Sequence, residues 1–206
     1  MTTLLSDPLV SAIGVHDNGE PLVRLDPRIG RRTFVRAGLA DRLLLADSLL
    51  PVGISLHVVE GHRSPAAQQA IVNSYSAELC AAHPGISPSE LRRLSSRFVA
   101  PLEVAPHVAG AAVDLTLVDA CGQQLDLGTP IDATPEQSDG ACYFAADGIG
   151  ADARAHRELL ARVLAEVGLV NYPTEWWHWS YGDRYWALVT GAPHALYGPV
   201  DVRVAA

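Results

Sequence analysis

The chain has 206 residues, 49% of them hydrophobic, and a formal net charge of −8, so it can bury one sizeable core and has no basic field to attract phosphates. Nucleic acid and anionic membrane are thereby excluded as expected partners, and a small-molecule or peptide substrate is expected. The first eight residues, Met1-Thr-Thr-Leu-Leu-Ser-Asp-Pro8, lack the basic start and apolar run of a secretory signal, and no stretch is apolar for long enough to cross a bilayer, which predicts a cytoplasmic protein.

Residues 1–36 mix Pro, Gly and Arg with short apolar alternations such as Pro21-Leu-Val-Arg-Leu25, which predicts an irregular amino-terminal arm holding a strand or two. Leu39, Leu43, Leu44 and Leu49 recur at mostly helical spacing up to Pro51, so residues 37–50 should form an amphipathic helix. Residues 54–60 read as a buried strand closed by Gly61. Ser64-Pro65 opens a helix to about Ala82, ended by His83-Pro-Gly85, because Pro at the first helical position loses no hydrogen bond. Ser87-Pro-Ser-Glu90 is a capping-box pattern that begins another helix, through about Arg97.

Residues 111–118 are strand-like, and Asp119-Ala-Cys-Gly122 predicts a turn into a partner strand at 124–127. Gly, Ala and Asp dominate 139–150, which suggests a loop over the site. Residues 151–167 are the clearest helix, with Leu159, Leu160, Val163, Leu164 and Val167 on one side and Gly168 placed to end it. Aromatic strands are expected at 175–181 and 184–189. No repeat, low-complexity tract or linker interrupts the chain, so one domain spanning 1–206 is expected, of α+β class, with helices covering a mainly antiparallel sheet.

Chemistry concentrates in two segments, His107-Val-Ala-Gly-Ala-Ala-Val-Asp114 and Glu175-Trp-Trp-His178. A hydrolytic Zn²⁺ takes three ligands from His, Asp and Glu, leaves a position for water, and uses a nearby unligated carboxylate as base. His107, Asp114 and His178 can be the ligands and Glu175 the base. Gly110 permits a bend, which lets His107 sit in a loop while Asp114 projects from the following strand. An acid within Ala-Ala-Val-Asp-Leu-Thr-Leu is costly unless paired or bound to metal. The plainer alternative has His107 on a surface loop and Asp114 capped by backbone amides. Glu175 and His178, three apart, point to opposite faces of a regular strand. An irregularity at Pro173-Thr174 that re-aims Glu175 is therefore expected, the alternative being a tryptophan core cluster with a satisfied histidine.

Together His107-x-x-Gly-x-Ala-x-Asp-Leu-Thr-Leu117 and Glu175-Trp-Trp-His178, in that order, resemble the D-alanyl-D-alanine dipeptidases, zinc peptidases related to the D,D-carboxypeptidases. Gly61-His-Arg-Ser-Pro65 and Gly128-Thr-Pro-Ile-Asp132 support the resemblance, which covers roughly residues 37–190. It implies one Zn²⁺ per chain held by His107, Asp114 and His178, Glu175 as catalytic base, Arg63 as the arginine facing the oxyanion, and Asp132 as the acid that holds the substrate's ammonium group. It further implies hydrolysis of D-Ala-D-Ala or a similar small dipeptide, with a D,D-carboxypeptidase or a non-catalytic zinc module as the alternatives. The chain departs from the family's pattern at Ala105, where a serine is common, at His62, and in its amino-terminal segment around Val15-His-Asp-Asn-Gly-Glu20. From the residues themselves, Arg63 also reads as a surface partner of Glu60, and Asp132 as a turn-forming acid beside Pro130. His16, His57, His83, His156 and His194 have no ligand spacing, and Cys80, Cys121 and Cys142 suit neither a disulfide framework nor a metal knuckle.

Overall fold

The computed structural model describes residues 2–30 and 33–200, so positions 1, 31 and 32 of the expected arm and 201–206 of the expected domain lie outside the described residues. In chain order the elements are α1 (Pro8–Ala12), β1 (Leu22–Arg24), β2 (Phe34–Arg36), α2 (Ala37–Ser48), β3 (Ile54–Glu60), α3 (Pro65–Ala82), α4 (Pro88–Ser95), β4 (Ala112–Asp119), α5 (Ala151–Glu166), β5 (Val170–Asn171), β6 (His178–Ser180) and α6 (Arg184–Thr190). Two single 3₁₀ turns, Leu102–Val104 and His107–Ala109, stand between α4 and β4. The main sheet runs β3-β4-β6-β5 and every pair in it is antiparallel, with β1 and β2 as a separate antiparallel pair. The α+β class expected from the sequence holds.

Strand alternation divides the sheet into a core face and a site face. Val113, Leu115 and Leu117 of β4, Leu56 and Val58 of β3 and Trp179 of β6 pack with Leu39 and Leu43 of α2 and with Leu160, Val163 and Leu164 of α5 in one buried cluster. Ala112, Asp114 and Thr116 point the other way and are buried too. β3 pairs with β4 in simple register from Ile54 to Val58, then skips Val59 so that Glu60, not Val59, lies opposite Asp114. That bulge leaves Val59 48% exposed and turns a carboxylate onto the site face.

Caps explain most helix boundaries. Ser64 accepts from Ala67 N at 3.2 Å and starts α3 with Pro65 at the first position. Ser87 accepts from Glu90 N at 3.3 Å, but the Glu90 side chain bonds Arg93 instead of reaching back, so only half of the expected capping box forms.

Four expectations are corrected. The arm contains a helix, α1, whose Asp7 side chain accepts from Leu9 N at 2.9 Å. Residues 124–127 form no strand beyond a bridge of Gln124 to Val118. Residues 184–189, read as a strand from their aromatics, lie in α6, because Asp183 accepts from the backbone N–H groups of Tyr185 (2.9 Å) and Trp186 (3.2 Å) and caps a helix. The loop at 139–150 packs on α5 and lines no part of the main cavity.

What holds that loop is Arg157, whose side chain is among the largest fully buried ones. Its guanidinium donates to the carbonyls of Leu127 (2.8 Å), Tyr143 (2.6 Å) and Ala141 (2.8 Å) and lies 5.7 Å over the Trp176 ring. Burial, then Arg154, lowers its pKa to about 10, so it stays charged at neutral pH. Truncation would strand several buried carbonyls, each costing about 1–3 kcal/mol. Arg157→Ala is expected to lower the unfolding free energy in urea by at least about 3 kcal/mol, and Arg157→Lys, lacking the planar fork, to recover only part of the loss.

Candidate metal centre

Asp114 is the pivot of the site. It pairs with Glu60 across β3 and with His178 across β6, and directly opposed residues project to the same face of a sheet. The third group, His107, comes from the 3₁₀ turn just before β4. Gly110 ends that turn in the left-handed region at φ +64°, where an added Cβ would meet Leu22 Cδ2 at 2.3 Å, so the bend that the sequence suggested depends on glycine.

One donor atom from each of His107, Asp114 and His178 lies within 4.8 Å of the others, and all three residues are buried. His107 Nδ1 is 2.7 Å from the Gly61 carbonyl, which can only accept, so Nδ1 carries the proton and Nε2 presents a lone pair. That Nε2 lies 3.1 Å from His178 Nδ1, which in turn lies 3.1 Å from Asp114 Oδ1. Two imidazole nitrogens and a carboxylate oxygen thus converge in a buried place, a set of Lewis bases that a cation would satisfy at once. Two His and one Asp suit Zn²⁺, and the bond from His107 to Gly61 is the kind of outer contact that orients a ligating imidazole. The alternative of a surface His107 fails, because that residue is only 5% exposed.

Glu175 sits in the turn between β5 and β6, where its N–H donates to Tyr172 O at 2.9 Å and its carbonyl accepts from His178 N at 3.3 Å. The irregularity anticipated near Pro173-Thr174 is this turn, and β6 begins only at His178. Glu175 Oε2 comes within 3.7 Å of His178 Nδ1. Trp176 and Trp179 belong to the core while Trp177 also lines the cavity, so the tryptophan cluster and the site coexist in one segment.

A cavity of about 310 Å³ opens on this cluster and is also lined by Arg63, Asp132, Glu175 and Glu60. Arg63 Nε donates to Glu60 Oε1 at 2.7 Å, Nη2 to Glu60 Oε2, and Nη1 to Gln68 Oε1 at 2.9 Å. The plain pairing with Glu60 and a place in the site are therefore both true of it. Two of the five guanidinium N–H groups remain for a ligand. Asp132 lies at the exposed edge of the cavity in the left-handed region, at φ +64°.

The acids load the site with negative charge. Burial, then Asp114 and Asp132, raises the Glu175 carboxyl well above the usual range, and Arg63 only partly offsets this. Partial burial, then Asp114 and Glu60, pushes Asp132 up to about 6. Burial opposes ionisation of Asp114, but His107 and His178 outweigh it and hold that carboxyl below the carboxylate range. Burial works against a charged His107 and is outweighed by Asp114, whereas for His178 burial prevails.

Sequence reasoning missed Gln68 and the apolar contributors Leu5, Ile71 and Phe98. Leu5 has no periodic signal, and it reaches the cavity because its N–H donates to Tyr172 Oη at 3.0 Å, while Tyr172 donates to Ser96 O. The six other histidines, His62 among them, lie outside the cluster, and all three cysteines are free, only Cys142 being buried. Among the described residues, no helix is long and apolar enough to cross a membrane.

The family model for D-ala-D-ala dipeptidases, peptidase family M15, matches residues 24–191. The D-alanyl-D-alanine dipeptidase of Synechocystis sp. is 30% identical over 238 residues, covering 92% of this chain and 96% of its own length. That of Escherichia coli K12 is 34% identical over 74 residues, 36% of each chain. Among solved structures, VanYB in complex with D-alanine-D-alanine aligns with a TM-score of 0.46 at 20% identity, over 79% of this chain and 77% of that one.

A ligand that binds only the folded state stabilises it by about 2.7 kcal/mol at a hundredfold excess over its Kd. Zn²⁺ is therefore expected to raise the melting temperature of the chelator-stripped protein, and Asp114→Ala to abolish the rise, as followed by calorimetry.

Proposed function

This chain belongs to the D-Ala-D-Ala dipeptidase family, and we propose on that footing that it is a zinc peptidase hydrolysing D-alanyl-D-alanine or a similar dipeptide with a free amino terminus. The proposal includes a cytoplasmic setting and a role in cell-wall turnover or glycopeptide resistance. The observation that carries it is the meeting, in one cavity, of the His107–Asp114–His178 donor set with an unligated buried carboxylate, Glu175, and a guanidinium with free donors, Arg63.

His107, Asp114 and His178 hold the metal. Zinc bound there supplies Lewis acidity, which acidifies water and polarises a carbonyl group. Glu175 takes the proton of the attacking water on its carboxylate and hands it to the leaving amine. Its raised pKa favours the second half of that exchange, and a dication beside it would draw the carboxyl back towards the ionised form needed for the first. Arg63, fixed on two sides by Glu60 and Gln68, turns its remaining N–H groups to the developing oxyanion, and one such donor is commonly worth about 3 kcal/mol. Asp132, at the cavity edge, pairs with the free ammonium group and so favours dipeptides over longer, acylated chains. A structural zinc site would need neither Glu175 nor Arg63.

Glu175→Ala is expected to keep stoichiometric zinc yet lose turnover of D-Ala-D-Ala, whereas His178→Ala loses both, with free alanine and bound zinc as the two readouts. A Glu175→Ala enzyme with near-parental rate would remove the proposed base. Cleavage of acyl-D-Ala-D-Ala in preference to the free dipeptide would make the enzyme a carboxypeptidase.

The sign of the pH dependence follows from Asp132. Its pKa is raised to about 6 with no metal present, and a cation on Asp114 would draw it lower, so the carboxyl is ionised at neutral pH and its hold on an ammonium group weakens as pH falls below 6. KM for D-Ala-D-Ala is expected to rise as pH is lowered from 6, and in Asp132→Asn to be high and flat across that range.

A further inference from the structure

One side chain that the proposed chemistry does not use sits behind the turn bearing the base and the last ligand. Asn171 ends β5, and its Nδ2 donates to the carbonyls of Glu175 at 2.9 Å and His178 at 3.0 Å, with that of Trp176 at 3.5 Å. Three carbonyls of a four-residue segment converge on one amide group. Other bonds close the segment on itself: Tyr172 N donates to His178 O at 3.0 Å, and Trp179 Nε1 to Trp176 O at 3.1 Å. The Tyr172 backbone also bridges residues 175 and 178, its O accepting from Glu175 N and its N donating to His178 O, but among the described residues Asn171 is the one side chain that bonds both the Glu175 and the His178 carbonyls.

Besides Asn171, the spacing of Glu175 and His178 rests on the Tyr172 backbone and on the long bond from His178 N to Glu175 O. Three residues apart, they belong on one face only because the backbone turns between them. β6 pins His178 through its register with Asp114, but Glu175 precedes that strand and has no sheet partner. Its peptide is held by the bond to Tyr172 O, the long bond from His178 N, and Asn171.

We propose that Asn171 is a positioning residue for the reaction: its amide fixes the Glu175 carboxylate relative to the His178 imidazole, and thereby sets base against metal. This rests on the roles given above to Glu175 and His178. Asn suits the task because its amide brings two N–H donors on a short, planar side chain, whereas the isosteric Asp would face the same carbonyls with acceptors. A displaced base would slow the proton transfers without weakening the contacts that bind the dipeptide, so the loss falls on kcat.

The test compares Asn171→Asp and Asn171→Leu with the parent in zinc-loaded protein, and records the visible absorption of each after Co²⁺ substitution. The expected result is full metal loading, a Co²⁺ spectrum altered from the parent's, KM for D-Ala-D-Ala near the parental value, and kcat lower by about 10–100-fold, the usual effect of losing an outer contact. Asn171→Ser, which keeps one donor, should recover part of kcat. A parental kcat and spectrum in Asn171→Leu would overturn the proposal, as would a loss confined to KM. If Asn171→Asp does not fold, the Leu and Ser variants carry the same comparison. Should the parent cleave no D,D-dipeptide, the functional reading falls while the Co²⁺ spectra still decide whether Asn171 shapes the site.

Discussion

The structure turns on one buried carboxylate. Asp114 is the third residue of β4, 3% exposed, and its neighbours from Ala112 to Val118 are apolar or small. An unpaired charge there would cost several kcal/mol, so its surroundings must supply positive charge or hydrogen-bond donors. The sheet does this through register. β6 sets His178 directly opposite, the turn before β4 brings in His107, and the bulge at Val59 puts Glu60, with Arg63 behind it, on the other flank. A slip of one residue in either pairing would exchange Asp114 for a core residue and send His178 into the hydrophobic cluster, so the same apolar pattern that stabilises the sheet also specifies the site.

The cluster also shows why the site needs a cation. Glu60, Asp114, Asp132 and Glu175 share one cavity with a single guanidinium, and that guanidinium is committed to Glu60. The protein without metal answers the imbalance by holding protons, which is what the raised pKa values of Glu175 and Asp132 express. A divalent ion held by His107, Asp114 and His178 would reverse the balance, so its binding would be coupled to ionisation of Glu175, and the acid excess is an arrangement that suits a dication.

Much of this was legible in the sequence where a local rule and the tertiary environment agree. β3, α3 and α5 lie where periodicity and Ser or Gly caps put them, and the four residues of the donor set and base were visible as polar groups in segments otherwise apolar. The failures have physical causes. The aromatics of 184–189 have strand propensity, but the preceding Asp183 offers its carboxylate to two free N–H groups, and a helix cap outweighs a weak propensity. Residues 124–127 alternate correctly, yet they leave the sheet after one bridge, and the Leu127 carbonyl accepts from Arg157 where a strand would offer it to a partner strand. Leu5 reaches the cavity through its bond to Tyr172 and that of its neighbour Ser6 to Ser96, both far along the chain, which no local pattern encodes.

Two arginines, Arg157 buried and Arg63 half-buried, illustrate how environment, and not residue type, separates support from chemistry. Arg157 is surrounded by backbone carbonyls, dipoles that satisfy its N–H groups without neutralising its charge, and it is sealed in the core with no opening to a ligand. Arg63 is held by a carboxylate and an amide that use three N–H groups, and it borders the cavity with two left over. The first arrangement fixes the loop leading away from Asp132 against α5 and Trp176, and the second leaves a rigid cation facing the space where negative charge would build up. Trp176 connects the two, since it receives the Arg157 cation on its ring face, donates to Thr129 Oγ1 at 2.8 Å, and is the residue next to Glu175. The core thus reaches the turn that carries Glu175 through Trp176 on one side, as Asn171 and Tyr172 hold it on the other, and the stiffness of that turn is inherited from the packing beneath it.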